Sequence, residues 1–110
     1  MRETLNHIIS QAIQEQQVMM ASLSDGLTVF AYPAEKRIVL GLGLGRDDVH
    51  RVNSTELLKK RGRNMSRYGR WLPVSFIDGA IYVVSDLGVP DDAARDACVD
   101  DLVLAKELFS

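Results

Sequence analysis

Few residues in this chain are of a type that does chemistry, and their spacing does not assemble them. Nucleophilic catalysis needs a Cys or Ser held by a base, and the base held in turn by a third group. The candidates are Cys98, His7 and His50, together with several serines, none of which sits in a nucleophile-elbow signature. Cys98 falls on the apolar stripe of "ARDACVDDLVLA", where a buried, inert thiol is expected. His7 and His50 have no partner at zinc-ligand spacing. Asp91, Asp92, Asp96, Asp100 and Asp101 could attract a cation, but they recur at helical spacing without the D-x-D-x-D-G loop of a calcium site, so they read as a solvated acidic face. No catalytic residue, metal ligand or cofactor is therefore assigned, and the chain is not expected to be an enzyme.

The glycine run "VLGLGLG" (residues 39–45) invites a phosphate-cradle reading, but Arg46 stands where a dinucleotide fingerprint has its third glycine, and no Gly-Lys-Ser/Thr ending follows. As a strand, the run puts Leu40, Leu42 and Leu44 on one face and Gly41, Gly43 and Gly45 on the other. The glycine face forms a shallow trough. A helix, an aromatic ring such as Phe30 or Tyr32 from the next strand, or a partner's side chain would fill it; an internal helix is the favoured occupant, with protein on both sheet faces.

Lys59, Lys60, Arg61, Arg63, Arg67 and Arg70 form a basic segment with Tyr68 and Trp71 interleaved. Those residue types suit phosphate contact and base stacking. The same segment equally suits a solvated helix face, or one turned toward the acidic C-terminal helix, and with a formal net charge of −2 nucleic acid is the less favoured partner.

The elements that would position these groups are legible. At 110 residues and 46% hydrophobic the chain fits one domain, residues 1–110, and a domain of this size buries roughly 60–70% of its unfolded surface. Oligomerisation is a natural supplement. No apolar stretch approaches the length of a membrane span and no signal-peptide layout is evident, so a soluble, cytoplasmic protein is expected. Leu5, Ile8, Ile9, Ala12 and Ile13 predict an amphipathic helix from about Glu3 to Gln17. The Asp25-Gly26 turn separates two strands, Pro33 closes the second, and a third runs from Arg37 to about Leu44. A second helix starts between Asp47 and Ser54, where Asn53 and Glu56 resemble a capping box, and ends before Gly69. Asp78-Gly79 predicts a two-residue hairpin, with Pro73 at a strand start or on an edge. The last helix begins around Pro90-Asp91-Asp92 and is apolar on more than one side. The fold class is α+β, a mostly antiparallel sheet of about five strands with three helices, in the order α-β-β-β-α-β-β-α.

That order resembles the class I effector chaperones of bacterial type III secretion systems, the Tir-chaperone-like fold. The local match is best over "TELLKKRGRNMSRYGRWLPVSFIDGAIYVVSDLGVPDDAARDACVDDLVLAKELF" (residues 55–109). The resemblance implies a homodimer that pairs through the second helix and later strands, and that binds the N-terminal region of a secreted effector protein in extended form without using ATP. Leu5, Ile9, Ile13, Val29, Phe30 and Tyr32 are the candidate partner-binding residues, each either core or groove. Met65, Tyr68, Trp71, Val74 and Phe76 are the candidate dimer seam, since aromatics beside arginines favour interface centres. Two other readings stay open: a nucleic-acid-binding or regulatory domain using residues 59–70, and an immunity-type inhibitor using the acidic helix.

Overall fold

A computed structural model describes residues 2–23, 26–45, 48, 50 and 52–109. Helix α1 spans Arg2–Glu15, and strands β1 (Met19–Ser22), β2 (Thr28–Ala34) and β3 (Arg37–Leu44) follow. Then come α2 (Ser54–Arg63), a one-turn α3 (Met65–Tyr68), β4 (Leu72–Ser75), β5 (Ile81–Gly88) and α4 (Asp92–Glu107). The five strands make one sheet in the order β1-β2-β3-β5-β4, with every neighbouring pair antiparallel. This is the expected α+β class, with one helix more than the sequence indicates.

Local chemistry accounts for the boundaries. α1 ends two residues earlier than expected because Gln16 enters the left-handed region at φ 53 and its side-chain amide donates to the Ile13 carbonyl. Asn53 caps α2, its Oδ1 accepting from the N–H groups of Thr55 and Glu56. Of the alternative starts, Asp47 lies outside the described residues, as do Arg46 and Asp25. The expected single second helix is broken at Asn64, whose backbone leaves helical geometry (φ −131, ψ 50) while its side-chain amide donates to the Lys60 carbonyl. Asp91 rather than Pro90 marks the start of α4, accepting from the Ala94 N–H at 2.8 Å.

The hairpin between β4 and β5 is also wider than Asp78-Gly79 indicates. Ser75 pairs with Ile81, and beyond it the Phe76 N–H reaches the Ala80 carbonyl. Three residues make the turn, with Gly79 at φ 94 supplying the left-handed position and the Asp78 carboxylate taking the Ala80 N–H. β2 runs one residue past Pro33. β4 is an edge strand, which is where Pro73 is tolerated.

All the covering helices lie on one side of the sheet. α1 packs on β1 and β2, and α4 on β3 and β5 and against α1. Beneath them the inward-pointing Val29, Ala31, Ile38, Leu40, Leu42, Leu44 and Val83 join Leu5, Ile8, Ile9, Ala12, Cys98, Leu102 and Ala105 in one core. Leu57, Tyr68 and Trp71 close the end of this core. The expectation that protein covers both sheet faces is not met within this subunit: the described elements leave the opposite face open.

Candidate functional site: the open sheet face

Residues paired directly across antiparallel strands share a face, so the register assigns the open side without ambiguity. One row crosses the whole sheet: Met20, Phe30, Gly41, Val84 and Leu72. The next contains Ser22, Thr28, Gly43, Tyr82 and Val74, and a third, toward the other end, contains Tyr32, Val39 and Asp86. This is a predominantly apolar surface. Met20 is 56% exposed, Leu72 55%, Tyr32 50% and Phe76 44%.

The glycines of β3 are what allow aromatics on this face to bury themselves without a helix. Phe30 from β2 lies over Gly41, and Tyr82 from β5 lies against Gly43. The two rings meet edge to face across the glycine lane, centroids 5.2 Å apart, and Phe76 extends the cluster with its ring 5.3 Å from Tyr82. Phe30 and Tyr82 are 8% and 4% exposed in consequence. The favoured expectation of an internal helix in this trough is thus corrected: neighbouring strands fill the lane from above, because both helices are committed to the leucine face. Burial pushes the Tyr82 phenol above its ordinary range, with the Asp78 carboxylate acting in the same direction.

Two hollows flank the aromatic ridge. A trough of about 540 Å³ runs from Tyr32 past Met20 and Thr28 to the Phe76–Ala80 turn. A second, of about 430 Å³, lies between Val39, Leu72 and Val84, with Arg70 and Asp86 at its rim. At one margin Arg37 clasps Asp86, Nε to Oδ2 at 2.9 Å and Nη2 to Oδ2 at 2.9 Å. The Gly88 N–H, donating to Asp86 Oδ1 at 2.7 Å, and then Arg37 hold this carboxyl below its usual range.

The sequence-derived site residues separate by strand alternation and helix face. Phe30, Tyr32, Val74 and Phe76 belong to the open face. Leu5, Ile9 and Val29, candidates for a partner groove, are 1% exposed or less and are core; α1 and the leucine face of the sheet enclose them. Tyr68 and Trp71, candidates for a dimer seam, are likewise buried, under α4. Ile13 and Met65 are exposed but lie off the open face. Sequence reasoning passed over Met20, Leu72 and Val84, although their alternation with buried neighbours is a usable signal.

The basic segment faces the acidic helix of its own chain. Arg67 makes three bonds to Glu107, Nε to Oε2 at 3.3 Å and Nη2 to Oε1 at 2.9 Å and to Oε2 at 2.7 Å, Arg70 meets Asp101 at 2.9 Å, and Lys60 donates to the Glu107 carbonyl at 2.7 Å. Donating to the Glu107 carboxylate raises the Arg67 guanidinium pKa further. Arg61 points the other way and ties down the turn into β4, bonding the carbonyls of Trp71 and Gly69.

Cys98 is enclosed, its Sγ donating to the Arg95 carbonyl at 3.0 Å, and burial raises its pKa. Among the described residues no group of three or more His, Cys, Asp or Glu side chains could hold a metal, and no helix is long and apolar enough to cross a membrane. No family model, curated protein or solved structure matches the chain.

Proposed function

We propose that this protein is a non-enzymatic, protein-binding module that acts as a cytoplasmic, dimeric secretion chaperone for the N-terminal region of a type III secreted effector. One observation carries the reading: one face of the sheet is predominantly apolar and lacks a covering layer from the described elements. Each large apolar side chain left in water forgoes on the order of 2 kcal/mol, and contiguous exposed apolar surface of this extent marks an interaction site. The layout of strands and helices that prompted the chaperone resemblance is compatible with such a role. The sheet offers partners two kinds of purchase, an open face with hollows for side chains and the free backbone edge of β1, to which an extended client can add a strand. Neither requires a nucleophile or a nucleotide.

Titrating the purified chain with the N-terminal segment of a secreted effector, in the absence of nucleotide, tests the proposal by calorimetry. Micromolar or tighter binding with a negative heat-capacity change is expected, because apolar area is buried. Failure of a panel of such segments to bind would remove the chaperone assignment.

A further inference from the structure

We infer that the open sheet face is the seam of a homodimer in which two copies stack face to face about a two-fold axis running along β3. The inference rests on the reading of this face as a protein-binding surface and names its occupant as a second copy of the chain.

Area comes first. Strands of four, seven, eight, four and eight residues, about 4.8 Å apart and rising about 3.3 Å per residue, make a face of roughly 500 Å². Two such faces cover on the order of 1,000 Å², the least expected of a biological interface. The protruding turn after β4, whose tip residue Ile77 is fully exposed, adds to this.

Symmetry comes second. Rotation about an axis along β3 lays the β1-β2 half of one copy on the β5-β4 half of the other. The row crossing the sheet then meets itself reversed: Met20 faces Leu72, Phe30 faces Val84, and the Gly41 lane, filled in each copy by its own Phe30 ring, lies at the axis. The larger hollow, bordered by the exposed Met20, crosses from β1 and β2 to the Phe76–Ala80 turn, and the smaller, bordered by the exposed Leu72, lies mainly on the β5-β4 half. Stacking brings the Met20 of one copy to the smaller hollow of the other, and Leu72 to the Met20 end of the larger. The Ile77 turn reaches the Thr28 end of the opposite trough, because β4 ends and β2 begins at the same end of the sheet.

Charge comes third. Identical faces bring identical charges together, which penalises any seam with a net charge. Here Arg37 and Asp86 neutralise each other within one copy and Arg70 is paired with Asp101, which leaves Asp78 of the turn as the charge the larger hollow must accommodate. A seam through α2, the pairing the chaperone resemblance implies, would instead juxtapose the Arg63 of both copies beside the exposed Leu58, while Lys59 is paired with Glu56 at 3.8 Å.

Light scattering from low to high micromolar concentration, with circular dichroism to hold the fold constant, tests the seam. The unaltered chain is expected to dimerise. Met20→Asp and Leu72→Asp, both at exposed positions, should each weaken dimerisation by roughly a hundredfold or more, since every dimer buries the new carboxylate twice. Leu58→Asp should leave it unchanged. In a Cys98→Ala background, a short bismaleimide should link a Met20→Cys chain to a Leu72→Cys chain, across sheets about 10 Å apart. An unaltered chain that stays monomeric overturns the seam; if that monomer still binds an effector segment and loses it on Leu72→Asp, the chaperone reading survives with the client on this face. A dimer indifferent to Met20→Asp and Leu72→Asp but dissociated by Leu58→Asp overturns the seam by moving it to α2.

Discussion

The ring of Phe30 occupies the space that a side chain on Gly41 would need: a β-carbon there would fall 2.7 Å from ring Cδ2 and closer still to Cε2 and Cζ. At Gly43 the obstacle is backbone, the Ile81 carbonyl oxygen and the Tyr82 Cα. Gly45 has no neighbour within 4 Å among the described residues. Three alternate glycines thus have three environments, and their alanine variants should rank accordingly. Gly41→Ala displaces a ring and is expected to cost about 1–3 kcal/mol. Gly43→Ala must shift the β3-β5 ladder and should cost more, while Gly45→Ala should be nearly neutral. Urea unfolding of the three variants checks the order, and a neutral Gly43→Ala would contradict the packing. Phe30→Ala should lessen the cost of Gly41→Ala, since ring and methyl compete for one volume.

The core assignment of α1 is open to the same measurement. Leu5→Ala and Ile9→Ala remove side chains with no exposed surface and are each expected to lose about 2–5 kcal/mol. Ile13, 38% exposed, should lose far less. Similar small losses at all three positions would return Leu5 and Ile9 to a surface groove.

Because α4 engages the basic segment, the chain should hold polyanions weakly. Unaltered protein is expected to elute from heparin at low salt. Glu107→Gln together with Asp101→Asn frees Arg67 and Arg70 and should move elution to higher salt. Strong retention of the unaltered chain, insensitive to those changes, would favour the nucleic-acid reading.

Asp86 predicts an acid-side dependence of stability. Its folded carboxyl titrates below the ordinary value of about 3.9, so in that interval the unfolded chain binds a proton that the folded chain does not. Its contribution is present above the unfolded value and is lost as pH falls through the folded one. The stability difference between the unaltered protein and Asp86→Asn should therefore be largest near neutrality and shrink below about pH 4. A difference constant across that range would mean that the Arg37 and Gly88 contacts do not hold the carboxylate in solution.

Much of this architecture is written locally. Period-two and period-3.6 patterns of apolar residues place five strands and the long helices, because amphipathic alternation is a property of neighbouring residues. Asn53 and Asp91 announce helix starts through bonds to amides two or three positions away. The breaks at Gln16 and Asn64 and the three-residue turn at Phe76–Ala80 escaped because each turns on a single residue's backbone choice within a permissive stretch. The alternation in "VLGLGLG" likewise separates a leucine face from a glycine face without saying what covers either. Only the tertiary arrangement decides that both long helices take the leucine side, that Phe30 and Tyr82, remote in sequence, meet over the bare lane, and that Arg67 and Arg70 turn toward Glu107 and Asp101. Those outcomes depend on which strands become neighbours and on which side each connection crosses, quantities set by summed packing across the chain and carried by no short segment of it.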